Sequence, residues 1–229
     1  MNTPIITVII PAFNEEKSIG KVVSDIPRDL VKHVIVVNNN SNDNTVEVAK
    51  SAGAIVLDQP KRGYGWACLK GIEKSRELKT DIVVFMDGDY SDFPEEITNV
   101  IAPIIETDHD MVIGSRVLGK REKGSLTPQQ VFGNWLATKL IRLFYGANFT
   151  DLGPFRAIKS DALEQLKMAD KTYGWTIEMQ IKASKEKMKF CEVPVNYRKR
   201  IGVSKVSGTI KGTVLAGIKI IFAVFKYRF

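Results

Sequence analysis

Five short apolar runs leave this chain little choice of architecture. Ile5–Ile10, Val34–Val37, Ala54–Leu57, Ile82–Met86 and Asp110–Gly114 are rich in Val and Ile and lack the apolar/polar alternation of a strand with one wet face. Strands of this kind must be covered on both sides. The intervening segments Glu16–Leu30, Thr45–Ala52, Gly65–Leu78 and Pro94–Ile105 have helical periodicity, and Asp92, Pro94 and Glu95 read as a capping signature for the last of them. Strand and helix in alternation predict an α/β fold with a mostly parallel central sheet flanked by helices. Such sheets bind ligands beyond the carboxyl ends of their strands, so the residues that follow each run are the ones to inspect.

The second half is less regular. A basic, Gly-containing loop over 115–127 precedes helical patterns at Pro128–Tyr145, Asp161–Met168 and Trp175–Lys187, a strand pattern at Phe190–Tyr197, and a polar, basic stretch at Lys199–Gly208. With 229 residues and no internal repeat or Pro/Gly-rich linker, one domain over 1–210 is the simplest account, with 211–229 as a C-terminal amphipathic helix. Two cysteines without a CxxC or Cys/His cluster suggest neither a disulfide framework nor a zinc site, and a cytoplasmic setting is the default. The apolar N-terminus lacks a basic leader and reads as a strand, and no run reaches the roughly 18 to 20 apolar residues of a spanning helix.

The sharpest local signal is Asp87-Gly88-Asp89, directly after the run DIVVFM. Carboxylates at i and i+2 share a side of an extended chain, and Gly88 admits a ligand close to the backbone. The pair suits a hard divalent cation, Mg²⁺ or Mn²⁺, of the kind that neutralises a diphosphate. An ordinary strand-end turn is the bland alternative. Pro11-Ala12-Phe13-Asn14-Glu15-Glu16 follows the first run and Asn38-Asn39-Asn40-Ser41-Asn42-Asp43 the second. Both put short polar side chains at a helix start, suited to a nucleotide or simply to capping. Lys61-Arg62-Gly63-Tyr64-Gly65 adds cations and glycines after the third. Neither GxxxxGK[ST] nor GxGxxG is present.

Taken in order and spacing, PAFNEE, NNNSNDNT, GYGWA, DGDYSD, GSR at 114–116 and DLGPFRA at 151–157 resemble family 2 glycosyltransferases of the GT-A fold. The likeness covers about residues 5–210 and is greatest to the branch of dolichyl-phosphate mannose and polyprenyl-phosphate sugar synthases. It implies an inverting transfer of a hexose from a nucleotide-diphosphate sugar, with UDP-glucose as the broad family's donor. Pro11, Ala12, Asn14, Glu15 and Asn39 match nucleotide-contacting positions, joined by Lys61, Gly65 and Gly88. Asp87 and Asp89 match the metal and diphosphate motif. Arg116 matches an arginine near the acceptor phosphate, and Asp151 and Arg156 an acceptor-side segment. Asn38 and Asn39 depart from the family's paired aspartates, so base preference is not inherited.

A hydroxyl acceptor requires a carboxylate base, for which Asp151 is the first candidate and Glu178 the second. A polyprenyl phosphate is already anionic and requires none; Arg116 with Lys120, Arg121 and Lys123 would then hold it. A non-catalytic nucleotide-sugar-binding module and a sugar-nucleotide pyrophosphorylase are the other readings. The retained Asp87-Gly88-Asp89 argues against the first, and the absence of a Gly-rich basic loop after the first run against the second.

Net charge is +7, and residues 185–229 hold 11 of the 33 basic side chains but only 2 of the 26 acidic ones. Within 211–229, Lys211, Lys219 and Lys226 fall in about one quarter of a helix circumference, while Val214, Leu215, Ile218, Ile221, Phe222 and Phe225 cover much of the rest. That pattern fits a helix lying on an anionic inner leaflet, closing the core, or meeting a second subunit. Nucleic acid is not an expected partner: the chain shows no zinc finger, helix-turn-helix or RNP pattern, and the acidic Asp87–Asp92 edge would repel a phosphate backbone.

Overall fold

The computed structural model describes residues 3–202 and 222–227. Seven strands form one sheet: β1 (Ile6–Ala12), β2 (His33–Asn38), β3 (Ile55–Asp58), β4 (Ile82–Phe85), β5 (Met111–Ser115), β6 (Arg156–Lys159) and β7 (Phe190–Pro194), in spatial order β3-β2-β1-β4-β6-β5-β7. All neighbours are parallel except β6, which runs antiparallel to both β4 and β5. The helices are α1 (Ile19–Asp25), α2 (Thr45–Ser51), α3 (Tyr64–Glu77), α4 (Ile97–Thr107), α5 (Pro128–Tyr145), α6 (Ser160–Leu166) and α7 (Trp175–Lys185).

The uninterrupted apolar runs are explained by two cores, one on each face of the sheet. Val8, Ile10, Val34, Val36 and Val84 point to the side covered by α1, α2 and α4. Ile9, Ile35, Val83, Phe85 and Ile113 point to the side covered by α3, α5, α6 and α7. Each fully buried Ile or Val contributes about 1.5–3 kcal/mol relative to exposure, so losing either layer would unfold the sheet. Gly71 lets α3 lie against β1: a Cβ there would stand 2.4 Å from Ile9 Cγ2.

Several elements differ from the sequence expectation, β7 among them, which ends at Pro194 and not at Tyr197. The first helix spans only Ile19–Asp25, because Ile26 is already extended ahead of Pro27. Asp92 is no cap: Phe93 holds that position without a side-chain bond, and Asp92 instead accepts from the Asp87 N–H at 3.4 Å. Strand β6 carries no alternation to betray it, since three of its four residues are buried and one of those is an arginine.

The chain visits β1, β2 and β3 toward one edge and then returns to place β4 on the other side of β1. The reversal opens a crevice beyond the carboxyl ends of β1 and β4, where doubly wound sheets hold ligands. Among the described residues no helix is long and apolar enough to cross a membrane. Most of the amphipathic segment expected over 211–229 lies outside the described residues. The part that is described, 222–227, closes the core: Ala223 and Val224 are buried, Phe225 packs on Phe144 at 5.3 Å between ring centroids, and the Tyr227 hydroxyl donates to Glu178.

Candidate active site

A cavity of about 360 Å³ occupies the crevice, lined by Pro11, Ala12, Phe13 and Glu15 after β1, Asn39 after β2, Arg62, Gly63 and Tyr64 at the start of α3, Asp87, Gly88 and Asp89 after β4, and Tyr173 and Arg200 from the second half. The sequence reading placed Pro11, Ala12, Glu15, Asn39, Asp87, Gly88 and Asp89 here. Phe13 belongs to the PAFNEE loop, and Tyr173 opens the Tyr173-Gly174-Trp175 segment, which the sequence offers as a source of an aromatic against the sugar or acceptor; Arg200 was missed, because it sits in no motif and reaches the cavity only through tertiary packing.

The loops that frame the cavity are built from their own polar residues. Asn14 N–H donates to Ser41 Oγ (3.0 Å), Asn42 N–H to Asn14 Oδ1 (2.9 Å) and Glu15 N–H to Thr45 Oγ1 (2.8 Å), which knits the loop after β1 to the loop after β2. Asn38 donates to Asp58 and accepts from Ser41 N–H. Asn39 donates to the carbonyls of Gln59 (3.1 Å) and Lys61 (2.7 Å) and accepts from Gly63 N–H (2.7 Å). An aspartate cannot make those two donations, so the departure from paired aspartates is a structural brace on the loop entering α3.

Three expected nucleotide-contacting residues stand outside the lining. Asn14 is consumed by the loop contacts above. Lys61 lies over Trp66, its Nζ 4.8 Å from the ring centroid with Lys171 at 4.5 Å. Gly65 is small for packing: a Cβ there would meet the Asp170 carbonyl at 2.0 Å.

The carboxylates differ sharply in state. Asp89 is buried; its Oδ1 accepts from Ser91 N–H (2.9 Å) and Ser91 Oγ (2.5 Å), and its Oδ2 faces Arg200 Nη1 at 3.1 Å. Arg200 Nη2 reaches Glu15 Oε1 at 3.1 Å. Burial, reinforced by the Asp89 charge, raises Asp87 to about 7. Burial and then the Asp87 and Asp89 charges push Asp92 well above the carboxylate range as well. Glu15, after β1, and Asp87, Asp89 and Asp92, after β4, thus stand at the carboxyl ends of neighbouring strands, an arrangement that an added positive charge relieves. Among the described residues no three carboxylate, imidazole or thiolate groups converge tightly enough to hold a metal unaided. Mg²⁺ commonly binds through one or two carboxylates and completes its shell with phosphate oxygens and water, and Asp87 with Asp89 fit that use.

The chain belongs to glycosyl transferase family 2. The family model matches residues 7–167. Among curated relatives, the UDP-N-acetylglucosamine–dolichyl-phosphate N-acetylglucosaminyltransferase of Methanococcus voltae is 30% identical over 216 residues, 85% of this chain and 86% of that one. The undecaprenyl-phosphate mannosyltransferase of Micrococcus luteus is 28% identical over 223 residues, 92% and 90% of the two chains. Among solved structures, glucosyl-3-phosphoglycerate synthase from Mycobacterium tuberculosis with Mn²⁺, UDP-glucose and phosphoglyceric acid superposes with a TM-score of 0.79 at 22% identity, over 98% of this chain and 80% of that one, which shows the GT-A fold. The family 2 chain described here is therefore a glycosyltransferase, and its relatives include members of the polyprenyl- and dolichyl-phosphate branch.

The three residues expected to act on the acceptor lie outside the cavity lining. Asp151 is 1% exposed and grips Arg116: its Oδ2 accepts from the Arg116 N–H and Nε, both at 2.8 Å, and its Oδ1 from Nη2 at 2.7 Å. Burial alone would lower the Arg116 guanidinium, but the charge and hydrogen bonds of Asp151 outweigh it and hold Arg116 above its ordinary value. Glu178 is fully buried beneath the 169–170 turn, where it accepts from Ala169 and Asp170 N–H and from Tyr227 and pairs with Lys182 at 2.7 Å. Both carboxylates, the two candidates for a general base, are buried and taken up by hydrogen bonds within the protein. Arg156 is buried too, donating to the carbonyls of Gly153 and Thr176, and burial lowers it to about 10. Trp175 belongs to the core, edge-on to Phe85.

Proposed function

We propose that the protein moves a hexose from a nucleotide-diphosphate sugar, UDP-glucose being the first candidate, to a polyprenyl phosphate, with Mg²⁺ or Mn²⁺ at Asp87 and Asp89. The observation that carries the acceptor assignment is the saturation of Asp151 and Glu178. With both taken up by hydrogen bonds, the acceptor is one that arrives deprotonated. A phosphate oxygen attacks the anomeric carbon from the face opposite the nucleotide, the bond from that carbon to the β-phosphate oxygen breaks, and the nucleoside diphosphate leaves with inversion. The bound cation supplies charge neutralisation for the departing diphosphate.

The residues on the protein's side have separate tasks. The loops after β1 and β2 form the floor of the donor cavity, and Phe13 and Tyr173 offer it aromatic surface. Arg116, clamped by Asp151 and lying 5.1 Å from the Tyr197 ring centroid, makes no hydrogen bond through Nη1 among the described residues and has that edge for an acceptor phosphate. Membrane-surface work is supported by α5. Val131, Trp135, Lys139, Arg142, Phe132 and Leu143 are all exposed and fall within about 120° of arc at 100° per residue. Apolar and cationic side chains so mixed match the headgroup boundary of an anionic leaflet.

The test is a transfer assay with radiolabelled UDP-glucose and GDP-mannose offered undecaprenyl phosphate or the corresponding free polyprenol. Label should move to the phosphate, only with divalent cation present, and not to the alcohol. Transfer to the alcohol instead would return the assignment to a base-assisted mechanism.

A further inference from the structure

Arg200 enters the cavity from the segment that follows β7, and its position is fixed independently of its charge. Its neighbours are tied down through the backbone: Arg198 N–H donates to the Ser91 carbonyl at 3.0 Å and Ile201 N–H to the Asp89 carbonyl at 2.9 Å. The side chain then bridges Asp89 Oδ2 and Glu15 Oε1, while its Nε is buried with no hydrogen-bond partner among the described residues.

We propose that Arg200 is a resident counter-cation of the donor site that competes with the divalent ion for Asp89 and passes to the diphosphate when the donor arrives. This rests on the donor-site reading above. Asp89 has two oxygens, and Ser91 holds Oδ1. A metal ion approaching Asp89 must take Oδ2 from Arg200, which costs the part-buried guanidinium one of its two carboxylate partners and leaves it with Glu15 alone. An arriving diphosphate removes that penalty, because a guanidinium binds phosphate oxygens through paired N–H groups and Nε is already without a partner. Metal alone therefore binds weakly, metal and nucleotide bind cooperatively, and by linkage each tightens the other by the same factor.

The experiment is Mn²⁺ binding to the full chain, followed by calorimetry and by the electron paramagnetic resonance signal of free Mn²⁺, with and without saturating UDP. Mn²⁺ alone should bind Arg200→Gln about tenfold more tightly than wild type, and the extra tightening produced by UDP should shrink by a similar factor. Arg200→Lys keeps the charge but not the fork, so Mn²⁺ alone should stay weak while the UDP-induced tightening falls; it also serves if the glutamine variant does not fold. Equal Mn²⁺ affinity and equal UDP-induced tightening in wild type and variants would overturn the proposal while leaving the donor site standing. A wild-type protein that binds UDP under neither condition would overturn both.

Discussion

Asp151 shows how a residue can be found by sequence while the partners that occupy it stay hidden. Its place in DLGPFRA marks it as part of the acceptor side, but spacing carries no information about whether a carboxylate is already spent, and here both oxygens hold Arg116. Asp151→Asn should therefore lower transfer to lipid phosphate without altering UDP binding, and should leave the pH profile of the residual rate unchanged; a lost acidic limb would mark Asp151 as a base after all. Breaking this buried pair should also destabilise the fold by about 3–5 kcal/mol, seen in urea unfolding. Asp87 makes a prediction of opposite sign from most carboxylates. Its value rises on folding from 3.8 to about 7, so the native state binds the extra proton between those values and its contribution to stability is lost as pH climbs through 7. Metal-free wild type should lose stability relative to Asp87→Asn from about pH 4 to pH 7 in thermal melts, and a parallel pH dependence in the two proteins would refute the assignment. Asn39 was legible as a site residue, but its role was not, because its three hydrogen bonds reach a loop some 20 residues away.

At the scale of elements, the strands buried on both faces were readable because continuous Val and Ile runs have few other uses, and β1, β2, β4 and β5 form where those runs lie. Strand β6 was not, since Arg-Ala-Ile-Lys has neither alternation nor length, and only the antiparallel partners on both sides make it a strand. Helix α5 was readable in extent, with Thr127 and Gln130 forming a capping box at its start. What periodicity could not reveal is that Phe132, at 61% exposure, and Trp135, at 53%, stay outside the core. Replacing both with serine should weaken sedimentation with phosphatidylglycerol vesicles several-fold and leave UDP affinity intact. Unchanged sedimentation would show that this face does not meet lipid.

At the scale of the whole molecule, the site exists because the sheet reverses its winding between β1 and β4, which brings PAFNEE and DGDYSD together although more than 70 residues separate them. Part of the basic C-terminal excess, Arg200, lines the cavity. Residues 197–201 run between the loop after β4 and the 118–122 loop, with Tyr197 N–H donating to Lys120 O and Glu122 N–H to Tyr197 O, so one short segment borders both Arg116 and the donor cavity. Net charge located that excess but not its path, because the contacts of 197–201 all lie more than 70 residues away in sequence. The measurement that tests the account most directly is calorimetric binding of UDP-glucose with and without Mn²⁺ to wild type and Asp89→Asn. Binding that requires Mn²⁺ and disappears in the variant is the result the site predicts. Equal affinity in all four combinations would contradict it.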